Sequence, residues 1–126
     1  MEFYRMDGNK AAKLPFSDAV RVGKVLYLSG QMGILPGTMK MAPGGIEAET
    51  KQMMENIERV LKHCGRSFDD VFKCTVMLAD MAQWSAFNRI YLAYFNQDRL
   101  PTRSAFGANG LALGGAVEME CWAQAG

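Results

Sequence analysis

The sequence predicts a single α+β domain spanning residues 1–126, a two-layer sandwich with two helices on one face of a mixed sheet of five or six strands. Its 126 residues match the size of one domain. Segments with the two-residue periodicity of strands alternate with segments that have the 3.6-residue periodicity of helices. Stretches rich in glycine and proline separate them. The resulting order is ββ-α-β-α-ββ, which favours helices packed against one sheet face.

The first two strands form a predicted β-hairpin within residues 17–31. Val20 and Val22 alternate with polar neighbours, and Gly23-Lys24 supplies the turn. The apolar run at residues 25–28 is the second and more buried strand. Residues 32–45 contain four glycines and two prolines, which predicts a loop.

Two amphipathic segments predict the helices. In the first, the residues on one face are apolar and Gly65 follows as a stop signal: Ile46, Met53, Ile57, Val60, Leu61 and Cys64. Asp80 and Gln83 have the spacing of a capping box, so the second helix is predicted to start there. Its aromatic stripe is typical of a core rather than of a cofactor site: Trp84, Phe87, Tyr91, Tyr94 and Phe95.

Three further segments predict strands: residues 71–80, a short strand ending at Gly107, and residues 116–125. The last strand alternates strictly. One face of this strand is apolar, and the other carries two carboxylates and the indole of Trp122. That second face is too mixed for a monomer core, and Trp122 is too large to be left in water, so the pattern predicts oligomerisation through the sheet.

Composition and motifs exclude several function classes. The chain has 14 Lys and Arg against 13 Asp and Glu and no basic run, which argues against nucleic acid as a partner. Three cysteines without CxxC spacing and one histidine predict buried thiols in a reducing compartment rather than disulfides or a metal site. No signal peptide or 18-residue apolar run is present, so a cytoplasmic protein without a membrane partner is expected. Nucleotide-binding glycine loops and a Ser-His-Asp set are absent.

The candidate chemistry lies near the C-terminus. Arg103 starts a strand, and its planar guanidinium suits bidentate binding of a carboxylate. Glu118 opens the polar face of the last strand. The alternative is a surface arginine and a solvated glutamate, or an ion pair between them. The Ser-Gly-Gln segment at 29–31 can present backbone N–H groups to an anion or a carbonyl oxygen, and a plain turn is its alternative.

Taken together, these segments resemble the Rid (YjgF) family over nearly the whole chain. The similar stretches are LPFSDAVRVGKVLYLSGQ, PGGIEAETKQMMENIERVL, DDVFKCTVMLADM, FNRIYLAYF, LPTRS and VEMEC. The most specific part is PxRS followed by a glutamate fifteen residues after its arginine. The resemblance implies a chorismate-mutase-like fold, a homotrimer with sites between subunits, and hydrolysis of 2-aminoacrylate/2-iminopropanoate and 2-iminobutanoate to 2-keto acids and ammonia without metal or cofactor.

The resemblance also implies residue roles. Arg103 would hold the substrate carboxylate, and Glu118 would hold and polarise the attacking water. The backbone carbonyl of Ala105 would be a second anchor for that water. Three further residues would line the cleft: Ser29, Gly30 and Asn88.

Two departures from the family pattern concern the substrate. Phe16 stands where many deaminating members have tyrosine, and Ala105 where many have cysteine; the stretch AFGANGLALGG also lacks the usual Leu-Pro turn. Two alternatives to the small-imine deaminase therefore stand. One is a hydrolase of a larger enamine of the aminomuconate type, and the other a non-enzymatic trimer that binds keto acids. A ribonuclease fits poorly, because an RNA cleft should be basic.

Overall fold

The computed structural model describes residues 1–126, with seven strands in one mixed sheet. The strands are β1 (Glu2–Tyr4), β2 (Ala19–Val22), β3 (Val25–Leu28), β4 (Gln31–Met32), β5 (Val71–Leu78), β6 (Thr102–Gly107) and β7 (Val117–Gln124). Their order across the sheet is β1-β2-β3-β7-β5-β6, with β4 also paired to β7. Only β5 and β6 run parallel. The strand β6, which carries Arg103, is therefore an edge strand.

The helices are α1 (Asp7–Ala11), α2 (Ile46–His63) and α3 (Trp84–Leu92). Buried apolar side chains of α2 and α3 form one cluster of 22 residues with the inward-facing residues of the sheet. On β7 those residues are Val117, Met119, Cys121 and Ala123, as the alternation predicted. The α+β class, with the two long helices on one face of a mixed sheet, is confirmed.

The sheet has seven strands rather than the predicted five or six. The N-terminal strand β1 spans three residues and β4 spans two, too short for a periodic pattern to appear in the sequence. Local polar bonds help to hold the N-terminal segment in place. The buried Asp18 carboxylate accepts from the backbone N–H of Met6 at 2.8 Å and from the Asn9 amide at 2.6 Å.

The predicted capping box at the start of the second helix is wrong. Asp80 instead caps a 3₁₀ turn, Met81–Gln83, by accepting from the backbone N–H of Ala82 at 2.9 Å. The tighter turn forms because the Gln83 N–H donates to the Asp80 carbonyl three residues back. The α-helix then begins at Trp84, which is half exposed, whereas Phe87, Tyr91 and Phe95 lie in the core as predicted.

The predicted hairpin is confirmed, and it continues into a break that the sequence did not reveal. Tyr27 of β3 lies opposite Trp122 of β7, but Gln31 of β4 lies opposite Met119, so the pairing register shifts by one residue. One extra residue between β3 and β4 has the effect of a β-bulge, which bends a strand and re-aims its side chains. Ser29 and Gly30 occupy this break.

The cysteines are free thiols. Cys74 and Cys121 are buried on neighbouring strands with their sulfur atoms 3.5 Å apart, as small core residues. Cys64 is half-buried, and burial followed by the charges of Asp18 and Glu2 raises its pKa to about 11. None of the three helices has the length and apolarity needed to cross a bilayer.

Candidate active site

Arg103 is held at the sheet edge by α3. In the parallel pairing, Arg103 lies level with Cys74 of β5, so its side chain leaves β6 on the face that carries the helices. There its guanidinium Nη1 donates to Asn88 Oδ1 at 2.7 Å. A guanidinium has five N–H donors, and this bond uses one of them. The fork geometry of the remaining donors is the one that binds a carboxylate.

Aromatic rings of α3 surround the guanidinium. Its central carbon lies 4.9 Å from the ring centre of Tyr91, 5.7 Å from that of Phe87 and 5.9 Å from that of Trp84. These distances are within the range of cation–π attraction. Burial, followed by the neighbouring Cys74, raises the pKa of the Tyr91 phenol, so Tyr91 stays neutral beside the cation. The aromatic stripe that sequence periodicity assigned to the core therefore also positions Arg103.

A cleft of about 260 Å³ opens beside Arg103 and Asn88. Its other walls are largely apolar: Trp84, Tyr91, Leu92, Leu100 and Pro101. Trp84 and Leu100 are both more than 40% exposed in the single chain, so the cleft is open to a ligand. A cation at one end and apolar walls at the other suit a carboxylate with an apolar substituent.

Glu118 lies on the opposite face of the sheet. It pairs in register with Met77 of β5 and alternates with the buried residues of β7. Its carboxylate lies against Gly30, where an added β-carbon would overlap Glu118 Oε2. Burial, and then the nearby charge of Glu120, raises the pKa of the Glu118 carboxyl. A half-buried carboxylate with a raised pKa is suited to accepting and returning a proton.

Hydrogen bonds join the break between β3 and β4 to the loop that precedes β2. The Ser29 hydroxyl donates to the Ser17 carbonyl at 2.6 Å, and the Ser29 N–H donates to the Asp18 carbonyl at 3.0 Å. The Ser29 hydroxyl is therefore occupied by a structural bond. Phe16 directly precedes Ser17 and is 47% exposed, so its ring is accessible to a ligand.

The predicted residues fall into two groups that one chain does not bring together. Asn88, Arg103 and, two residues further along β6, Ala105 lie at the helix face, whereas Gly30 and Glu118 lie on the other face of β7. Two strand positions separate β6 from β7, with β5 between them. No ion pair joins Arg103 to Glu118. No group of three or more His, Cys, Asp or Glu side chains is arranged to hold a metal ion.

Sequence reasoning missed two polar residues on α2. Glu49 and Asn56 are 8% and 7% exposed, and they share the buried face of α2 with Met53 and Val60. Their spacing from these apolar residues is three or four, the spacing of neighbours on one helix face. A polar residue that interrupts an apolar stripe was the available signal, because a buried polar group needs a bonding partner.

Comparisons with known proteins agree over nearly the whole chain. The model of the family described as Endoribonuclease L-PSP matches residues 8–125. A 2-iminobutanoate/2-iminopropanoate deaminase from Mus musculus is 42% identical over 116 residues, 92% of this chain and 85% of that protein. The Capra hircus protein of the same name is 43% identical over 92% of this chain and 84% of its own length. The crystal structure of RidA from the Antarctic bacterium Psychrobacter sp. PAMC 21119 superposes with a TM-score of 0.89 at 33% identity, covering 98% of this chain and 99% of that one. The chain therefore belongs to the Rid (YjgF) family, the family that the Endoribonuclease L-PSP model describes.

Proposed function

We propose that this chain is a deaminase that hydrolyses 2-imino carboxylates, such as 2-iminopropanoate and 2-iminobutanoate, to 2-keto acids and ammonia. The reaction takes place between two copies of the chain. One copy contributes Arg103 with Asn88 and Ala105, and the other contributes Glu118 with Gly30, Ser29 and Phe16. The relatives at about 40% identity that bear the name of this activity support the reaction class.

The observation that carries the proposal is a pair of residue groups, each of which we call a half-site. The Arg103 half-site contains Arg103, Asn88 and Ala105, and the Glu118 half-site contains Glu118, Gly30, Ser29 and Phe16. Arg103 is a cation whose direction is set by the 2.7 Å bond to Asn88, and Glu118 is a carboxylate held half-buried against Gly30. A 2-imino acid has a carboxylate next to an electrophilic carbon. Its hydrolysis needs one group to hold the carboxylate and another to handle protons.

The geometry suggests a reaction in which Glu118 moves every proton. The Glu118 carboxylate takes a proton from water as the water oxygen bonds to the iminium carbon, and the C=N electron pair moves to nitrogen. Glu118 returns that proton to the nitrogen of the resulting carbinolamine. The carboxylate then takes the hydroxyl proton as the C–N bond breaks, which leaves the keto acid, and passes it to the departing ammonia. Burial raises the pKa of Glu118, which makes its protonated form easier to reach in such repeated transfers.

The opposite placement of the two half-sites supports a closed oligomer, proposed here as a homotrimer. In a cyclic assembly, the edge strand β6 of each copy meets the Glu118 face of the next, which completes one site per interface. The polar face of β7, with Trp122 half-buried against Tyr27, is then covered as the sequence pattern requires. In this proposal residues 1–126 act as one domain. The free thiols of Cys74 and Cys121 support a reducing compartment such as the cytoplasm.

A second candidate substrate class is a larger imine or enamine acid. The cleft of about 260 Å³ beside Arg103, with walls that include Trp84 and Leu92, supports it. Phe16 and Ala105 add apolar surface in place of the polar side chains common in the family. Rates for imines made from alanine, leucine and phenylalanine separate the two classes, and a rate that rises with side-chain size favours the larger one.

A coupled assay tests the proposed activity. An amino-acid oxidase generates the imine in place, and semicarbazide traps the imine that survives. Wild-type protein should lower the yield of the semicarbazone. Arg103→Ala should abolish this effect while the protein stays folded and oligomeric, because the substrate carboxylate loses its partner. Arg99→Ala removes an exposed arginine near the same edge and should leave the rate unchanged.

Each contrary result has a separate meaning. A semicarbazone yield unaffected by wild-type protein at high concentration contradicts the deaminase and favours a keto-acid-binding role at the same site. An unfolded or dissociated Arg103→Ala variant makes Arg103 a structural residue instead.

A further inference from the structure

The Glu118 half-site is built from two backbone segments, and both are bonded to buried polar side chains of α2. One segment runs from the break at Gly30 through β4, and the other leads from Ala116 into β7. Gly33 lies so close to α2 that an added β-carbon would overlap the backbone of Glu49. The helix thus touches both segments at the level of the site.

Asn56 holds the first segment. Its amide nitrogen donates to the carbonyls of Met32 at 2.9 Å and Ile34 at 2.8 Å. Its amide oxygen accepts from Gln52 at 3.0 Å and from Arg59 at 3.4 Å. Because donors surround the oxygen and carbonyls face the nitrogen, this amide has one orientation that satisfies all its partners.

Glu49 holds the second segment. Its carboxylate Oε1 accepts from the backbone N–H of Ala116 at 2.8 Å, two residues before Glu118. The carbonyl of Ala116 accepts from the N–H of Ala79 at 3.0 Å, so this peptide is bonded on both sides. Glu49 also lies near the start of α2, where the helix dipole stabilises a carboxylate.

We propose that Glu49 and Asn56 are positioning residues of the active site, which hold the backbone of Met32 and Ala116 so that the Glu118 carboxylate stays against Gly30. This inference rests on the proposed function. Neither residue contacts the substrate. They act through the two backbone segments, much as an outer shell of residues orients the ligands of a metal.

The expected effect on kcat and KM follows from the placement of substrate binding and proton transfer in different half-sites. Substrate binding depends on Arg103, which lies on the sheet face opposite Glu118 and whose side chain is bonded to Asn88 of α3, not to α2. Displacing Glu118 should therefore lower kcat and leave KM nearly unchanged. A displacement of about 1 Å can lower a rate on the order of 100-fold.

Two variants of Glu49, a control at Thr50 and a variant of Asn56 form the test. Glu49→Met keeps the length of the side chain and removes the acceptor, whereas Glu49→Gln keeps an acceptor for the Ala116 N–H. The matched control is Thr50→Val, because the Thr50 hydroxyl is buried in the same helix without a hydrogen-bond partner. Asn56→Ala should behave like Glu49→Met, but it removes the side-chain donor from the carbonyls of Met32 and Ile34 and risks failing to fold.

In the imine assay, Glu49→Met should lower kcat on the order of 10- to 100-fold with KM within about threefold of wild type. Glu49→Gln and Thr50→Val should stay within about threefold in both constants. A Glu49→Met variant with wild-type kcat, or one whose kcat stays high while KM rises, overturns the proposal. So does a Glu49→Gln variant as impaired as Glu49→Met.

A second readout keeps this inference separate from the proposed function. ¹³C NMR titration of glutamate carboxyls, with Glu118 assigned from Glu118→Gln, reports whether Glu118 keeps its half-buried place. Glu49→Met should return the Glu118 pKa toward its ordinary value, and Thr50→Val should not. If wild-type protein hydrolyses no imine, the proposed function fails and this titration alone decides the positioning role. An unchanged Glu118 pKa in Glu49→Met would then overturn it.

Discussion

At the scale of single residues, the Glu118 half-site depends on the absence of a side chain at Gly30 as much as on the Glu118 carboxylate. Gly30 does not adopt a positive φ, so its backbone conformation tolerates any residue. What glycine provides there is space, because the Glu118 carboxylate occupies the position that a β-carbon would fill. In the proposed site, the glycine therefore has a role that is separate from turn geometry.

Gly30→Ala tests that reason. We expect the new methyl group to push the end of the flexible Glu118 side chain aside, so the protein folds with near-wild-type Tm while imine hydrolysis falls at least about tenfold. Gly8→Ala is the matched control, since Gly8 has no atom within 4 Å of an added β-carbon. Thermal melts and the coupled assay on both variants measure this. A Gly30→Ala enzyme with full activity would show that Glu118 need not occupy its present place.

Glu118→Gln should lower the rate of the reaction without lowering the stability of the protein. An amide cannot accept a proton from water, so kcat should fall roughly 100- to 10,000-fold while KM changes little. Burial raises the pKa of Glu118 in the folded chain, which means that ionisation of Glu118 at neutral pH opposes folding. The variant should therefore melt at the same temperature as wild type or higher. An unchanged kcat would remove Glu118 from the mechanism.

The raised pKa also fixes the sign of the pH dependence. Only the ionised carboxylate can accept a proton, so wild-type kcat/KM should fall as the pH drops through the Glu118 pKa, which burial raises from its ordinary value. The contribution of Glu118 to stability has the opposite sign, because protonation in the same range relieves the cost of its charge. A rate profile combined with melts across pH 4–8 measures both. A kcat/KM that stays constant down to the pH of an ordinary glutamate would contradict the assignment.

At the scale of elements, sequence periodicity predicted most of the fold. The alternation in β7 and the apolar stripe of α2 are long enough for periodicity to be visible, and both elements lie where the pattern put them. The break at Ser29 and Gly30 was not visible, because a one-residue shift in register is a property of two paired strands. Periodicity also gave no sign that Tyr91 both fills the core and lies against Arg103.

Asn88→Ala tests the contact between α3 and β6. Without its 2.7 Å bond the Arg103 guanidinium loses its fixed direction, so KM for a 2-imino acid should rise about tenfold with a smaller change in kcat. Arg89→Ala on the same helix removes only an exposed ion pair with Glu47 and should leave both constants unchanged. Steady-state kinetics on the two variants give the comparison. A larger loss in kcat than in KM would instead connect Asn88 with the chemical step.

At the scale of the whole molecule, the two half-sites lie on opposite faces of one sheet. Sequence order could not reveal this, since Arg103 and Glu118 are near neighbours along the chain and both lie on strands. The face of each depends on strand pairing. Arg103 lies level with the buried Cys74, whereas Glu118 lies level with Met77 on the other face. A reaction that needs both groups at one substrate therefore needs two chains.

Mixing two inactive variants tests whether the sites are shared. Arg103→Ala chains carry an intact Glu118, and Glu118→Gln chains carry an intact Arg103. In a cyclic oligomer assembled at random from equal amounts of both, about a quarter of the interfaces combine the two intact residues. Co-refolded mixtures should therefore recover about a quarter of the wild-type rate, although each variant alone is inactive. Mixtures of either variant with the double variant should recover nothing. If the first mixture also stays inactive while mass measurement confirms mixed oligomers, Arg103 and Glu118 do not serve one substrate across an interface.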